Sequence, residues 1–202
     1  MNRAASTPKK KDGRTLRGER SRLACAKAML DLIREGHLQP TAAAVADRAG
    51  VSLRLVFHHF KDMEGVMQHA MKLQSDRIAP LIPITLPEDG TLLERLTVFV
   101  DRRAAFFEEI TPVRRAARHV AAHSTAMAEG LDEVRHVKQR QLAHLFRQEI
   151  AKLPEEERDA RVAAAQAQSS WMAWESLRAH AGLDVDAAKA AVVVGLRGVF
   201  TV

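Results

Sequence analysis

Between residues 17 and 35 the apolar positions Leu23, Ala24, Ala28 and Leu32, with Cys25, Met29 and Ile33 beside them, recur at steps of three and four. That spacing lays them on one helix face. Gly36 is a C-cap candidate, and "HLQP" reads as a link. Thr41 is a natural N-cap for a short helix over 42–49, and Ser52 for another over 53–59. Asp62 is placed to cap a third from Met63 into the 70s, with Val66, Met67, Ala70, Met71, Leu73 and Ile78 inward. The stretch "APLIPITLPEDG" carries Pro80, Pro83 and Pro87, which forbid a regular helix. It is strand-like in composition but has nothing to pair with, and marks a boundary. Beyond it, helices are predicted over 91–110, 112–123, 125–153, 155–181 and 185–202. Pro112 stands in a first turn, where its missing N–H costs little. "LPEEER" and "GLDVDAAKA" put acids at helix starts, complementing the dipole. The expected class is all-α, with a basic disordered arm over 1–16. A three-helix N-terminal helix-turn-helix domain over 17–78 then precedes a larger helical domain over 79–202.

The stretch "TAAAVADRAGVSLRLVFHHF" from Thr41 to Phe60 explains why two helices are kept so short. A short helix, a turn of three residues containing Gly50 and a second short helix make the helix-turn-helix pattern. The glycine lets the chain turn through a conformation that a side chain opposes. Val45, Ala46, Ala49, Val51 and Val56 form the expected inward core. In this pattern the second helix enters the DNA major groove, and its first residues reach base edges.

Charge adds to this picture through its position. Residues 1–22 hold eight basic and two acidic side chains, which accounts for the whole net charge of +6. A basic arm directly before a helix-turn-helix is attracted to phosphate. The 202 residues are 47% hydrophobic, enough for a packed core. No apolar run approaches the ~20 residues of a membrane span. The N-terminal residues have no apolar h-region, so a secretory signal is not expected. The lone Cys25 fits a reducing cytoplasm and is read as a small core residue.

The segment "TAAAVADRAGVSLRLVFHHFKDMEGV" resembles the DNA-binding signature of the TetR family of transcription regulators. Thr41, Val45-Ala46, Ala49-Gly50-Val51-Ser52, the aromatic Phe57, His59-Phe60 and Glu64 carry the resemblance. Ala28, Leu32 and Gly36 of the preceding helix fit it too. The stretches "RRAAFFEEITPVRRAARH" and "SSWMAWESLR" are similar to one branch of the family. The resemblance implies a homodimer that binds DNA through its N-terminal domains. Its C-terminal domains hold a small molecule and dimerise through the last two long helices, within 155–202. It further implies a repressor that leaves a palindromic operator when its ligand binds; an activator or a ligand-independent DNA-binding protein of the same fold is the alternative. Three positions depart from the family pattern. Phe57 replaces a tyrosine whose hydroxyl commonly bonds phosphate, Met63 stands in place of a phosphate-binding lysine, and Leu55 replaces Thr or Ser. The basic arm is placed to compensate electrostatically.

Residue types then assign the DNA contacts. Arg54 is the long cation near the start of the recognition helix and the candidate for guanine O6 and N7. Leu53 and Leu55 are candidates for a thymine methyl, unless one of them is core. Ser52, Lys61 and His59 are phosphate candidates, and Thr41, Phe57 and His58 complete the surface.

Effector candidates are aromatic and apolar groups with a few polar handles. They are Phe99, Arg103, Phe106, His119, His123, Trp171 and Trp174, for a ligand of apolar or aromatic character. Core packing and dimer contact compete with this reading for the aromatic residues. Gly195 and Gly198 in the last helix allow close helix approach. His58 and His59 point about 100° apart on a helix and cannot share one ion. His119 and His123 have i, i+4 spacing, but no third ligand accompanies them. No metal or cofactor is expected. No G-x-S-x-G, G-x-x-x-x-G-K-[ST] or Cys/His cluster is present, so an enzyme is not expected.

Overall fold

The computed structural model describes residues 13–121 and 125–201. It is helical throughout, with no strand among the described residues. The chain divides into two compact units, the first ending at Asp76 and the second running Arg77–Val202.

The first unit contains α1 (Gly13–Arg34), α2 (Ala42–Ala49), α3 (Leu53–His59) and most of α4 (Met63–Ile78). α1 starts at Gly13, ahead of the residue 17 that periodicity predicts. The next three helices start and stop where their local signals place them. The Thr41 and Ser52 hydroxyls accept from the Ala44 and Leu55 amides at 3.2 Å. Asp62 Oδ1 accepts from the Gly65 amide at 2.9 Å. Such caps contribute about 1 kcal/mol each. Gly50 has φ 64° and ψ 35°, the left-handed region, which confirms the reason for a glycine there. Val45, Ala46, Val56, Val66 and Ala70 close the core with Cys25, Met29 and Ile33 of α1, all nearly or fully buried. Burial pushes the Cys25 thiol pKa up.

The second unit opens on a 3-10 turn, Ala79–Leu81, and an irregular segment rich in proline. Arg95 holds that segment. It is buried, pairs with Glu149 at 2.7 Å, and donates to the carbonyls of Pro87 and Leu145 at 2.8 and 2.9 Å. Breaking such a buried pair costs about 3–5 kcal/mol. Then follow α5 (Leu92–Ala121), α6 (Thr125–Leu145), α7 (Arg147–Ala151), α8 (Glu155–Gln168), α9 (Trp171–Glu175), a π-helical turn (Ser176–His180) and α10 (Val185–Phe200). Their shared core includes Leu96, Phe99, Phe107, Phe146, Trp174, Leu196 and Phe200.

Four of the expected helices differ from those observed. The segments 91–110 and 112–123 form one helix, because Pro112 removes a single rung without ending the helix. Beside it, the Thr111 hydroxyl donates to the Phe107 carbonyl at 2.6 Å. The segment 125–153 breaks at Phe146, whose ring is fully buried between Phe99 and Phe200, each 5.2 Å away. The segment 155–181 breaks at Ser169 and Ser170. Ser169 bonds back to the Ala165 carbonyl at 2.8 Å, and Ser170 caps a new helix by accepting from Ala173 at 3.2 Å. Serine hydroxyls compete with the helix ladder in this way.

Candidate functional site

Two places gather the candidate side chains, one in each unit. In the first unit, α3 is held by Val56, which is fully buried, and by Leu55 and His59, which are half-buried. Its other side faces solvent. Leu53 and Phe57 are 45% and 49% exposed, and their i, i+4 spacing makes one apolar ridge. Arg54 and His58 form the exposed ridge beside it. Arg54 has no protein partner among the described residues. By contrast, Arg48 of α2 is engaged by Glu35, with its two terminal nitrogens 2.8 and 2.7 Å from the carboxylate oxygens. Thr41 and Ser52 are exposed at the starts of α2 and α3. Each accepts from the backbone, so each hydroxyl proton stays free to donate. Lys61 is exposed just before α4. His59 faces away from this group: its Nε2 is buried without a partner, and an added Cβ at Gly18 of α1 would stand 3.6 Å from its ring. Burial, with Arg22 and His58 nearby, lowers its pKa. The exposed cations Arg17, Arg20, Arg22 and Lys27 of α1 add positive charge to the unit. The rest of the basic segment, 1–12, lies outside the described residues.

In the second unit, α5, α6, α8 and the serine break enclose a cavity of about 360 Å³. Arg103, Phe106 and Trp171 line it, as does Phe107. Trp171 Nε1 donates to the Thr111 hydroxyl at 2.9 Å. Phe99 and Trp174 do not line this cavity. Phe99 is fully buried against Phe146, and Trp174 Nε1 donates to Glu108 at 2.8 Å. His123 and the side chain of His119 lie outside the described residues. Sequence reading missed Arg114, Arg135 and Lys138, all of which line the cavity. A signal for Arg114 was present: 103, 107, 110 and 114 fall on one face of a continuous α5, which a helix ending at 110 conceals. No comparable signal marks Arg135 and Lys138, which reach the cavity through tertiary packing of α6. Among the described residues no cluster of His, Cys, Asp and Glu could hold a metal, and no helix is long and apolar enough to cross a membrane.

The sequence matches no family model, and no curated protein matches it significantly. Solved structures do match. A TetR-family transcriptional regulator from Streptomyces coelicolor aligns with TM-score 0.66 and 21% identity, over 90% of this chain and 80% of that one. The chain has the TetR-family fold. A transcriptional regulator from Rhodococcus sp. Rha1 aligns with TM-score 0.63 and 20% identity, over 90% of this chain and 95% of that one. The likeness thus extends past the helix-turn-helix unit into the helices that, in this TetR-family fold, enclose the cavity.

Proposed function

We propose that this chain is a sequence-specific DNA-binding transcriptional regulator of the TetR family. It acts in the cytoplasm as a homodimeric repressor, released from a palindromic operator when a small molecule fills the cavity. The observation that carries the reading is the outward side of α3, where Leu53, Arg54, Phe57 and His58 are exposed together at the end of a glycine-turned helix pair. Arg54 is the base-reading cation, and the Leu53–Phe57 ridge suits a thymine methyl. Thr41, Ser52 and Lys61 are phosphate contacts, and Phe57 gives up the phenolic one. Half-sites in a two-fold dimer lie ~34–36 Å apart. α10 supports the dimer: Ala187, Ala190, Ala191, Val194 and Gly198 are exposed along one stripe, with Val194 at 71%.

A gel shift with DNA from upstream of the chain's own gene, run over a salt series, tests this. One palindromic site is bound tightly, and Arg54→Ala weakens it by about five-fold or more, as loss of a bidentate guanine contact of ~1–3 kcal/mol requires. Binding that ignores sequence and follows only salt would sink the reading.

A further inference from the structure

The cavity of the second unit holds a charge that its own walls do not balance. Arg103 and Arg114 of α5 and Arg135 and Lys138 of α6 line it, and no acidic side chain does among the described residues. Among the described acids near it, Glu108 takes Arg178 and Trp174 and Glu175 takes Arg115, while Asp132, 3.2 Å from Arg135, balances that one lining cation and leaves Arg103, Arg114 and Lys138. Arg103 is only 5% exposed. Its terminal nitrogens donate to the carbonyls of Lys138 and Ser169 at 2.9 and 3.5 Å, and its Nε is buried without a partner. Arg114 Nε is likewise buried and unpartnered. Ring faces stand where counter-ions would be. Arg103 lies 4.9 Å from the centre of Phe99, Arg114 5.0 Å from Trp171, and the Lys138 ammonium 4.0 Å from Phe106. A buried cation without an anion is costly, and a ring quadrupole offsets only part of that cost. Burial lowers all three pKa values, Arg103 to about 10 and Lys138 to about 8, with Arg114 shifted in the same direction.

We propose that the ligand of this cavity is an organic carboxylate, its headgroup held at the end where Arg103 and Lys138 lie together, its body against Phe106, Phe107 and Trp171, with Arg114 adding positive potential from the far end. The inference rests on the ligand-responsive reading above and gives that ligand a chemistry. A guanidinium with a free, buried N–H favours a carboxylate over a neutral isostere. The ring walls favour an acid with an aromatic or aliphatic body over an inorganic anion, which would leave them uncovered. At about 360 Å³ the cavity lies near the small end of the ~300–1,000 Å³ usual for ligand pockets, so the acid is small.

Calorimetric titration of the full chain tests it, with 3-phenylpropionate, 4-phenylbutyrate and octanoate as probes, each beside its primary amide. At least one acid binds, and its amide binds about ten-fold or more weakly. Lys138→Gln reduces acid affinity strongly and Arg114→Gln, which removes only a more distant charge, reduces it less, each leaving the amide unchanged. Both side chains are only partly buried, so both variants fold, which a thermal melt verifies. An amide that binds as well as its acid, acid binding unchanged in both variants, or no binding by any acid overturns the proposal. The gel shift is scored separately. Failure to bind any operator sinks the regulator reading and leaves the titration valid. Operator binding by a protein whose cavity prefers the amides sinks only the carboxylate.

Discussion

Lys138 holds its ammonium over the Phe106 ring, in a cavity that Arg103 and Arg114 enter from α5 and Arg135 from its own helix, while α8 brings only the neutral Gln166. Burial, and secondarily Arg103, lower its pKa from 10.5 to about 8. The unfolded chain keeps the ordinary value. The folded chain therefore carries the full cost of the charged form below about pH 8, and releases the proton between about 8 and 10.5 while the unfolded chain still holds it. Stability contributed by this residue accordingly rises with pH across that window and levels off above it. Denaturation midpoints from pH 7 to 10 should show this rise in the parent and lose it in Lys138→Met. At this scale the sequence was informative where a side chain's role is local. Thr41, Ser52, Asp62 and Gly50 could all be read from their neighbours. Arg103, Phe106 and Trp171 were found by type alone. Lys138 was not, because nothing in residues 130–140 tells which part of α6 faces a cavity.

The short helices α2 and α3 depend on their boundaries. Their ends are set by two hydroxyl caps and one left-handed glycine. Gly50→Ala forces a Cβ into the left-handed region at a cost of ~1–2 kcal/mol, and Ser52→Ala removes a cap worth about 1 kcal/mol. Urea unfolding should show both losses, with the glycine variant the more damaged. Gel shift should show Ser52→Ala also weakened on DNA and regaining little in a stabilised background, since the proposed phosphate donor is lost with the cap. These boundaries were legible because capping is a contact within four residues. The long helices were not. Pro112 reads as a start but sits inside α5, where packing on both sides holds the helix together. The serine pair in "QSSW" reads as continuing helix, yet ends α8 because Ser170 caps α9 and the Ser169 carbonyl is taken by Arg103. The Ser170 cap is local, but the Ser169 carbonyl and the Thr111 hydroxyl beside Pro112 each take a partner 60 or more residues away in the chain.

For the molecule as a whole, the glycines of α10 divide between two tasks. A Cβ at Gly195 would meet only the end of the flexible Gln168 side chain, so that glycine faces α8 within its own chain. At Gly198 an added Cβ would meet nothing within 4 Å, and it belongs to the outward stripe with Val194. Val194→Glu leaves the chain's own core untouched and puts a charge in the proposed interface. Sedimentation should find the parent a dimer and the variant largely monomeric; a dimeric variant would move the interface elsewhere. The two tryptophans offer a different use of the same architecture. Trp171 and Trp174 are the chain's whole complement, and it has no tyrosine. Both lie in the second unit, one on the cavity wall and the other in the core beside it. Ultraviolet emission therefore sees that unit alone, while far-ultraviolet circular dichroism sees every helix. The first unit is silent in tryptophan emission, so the difference between the two signals isolates its unfolding without any label.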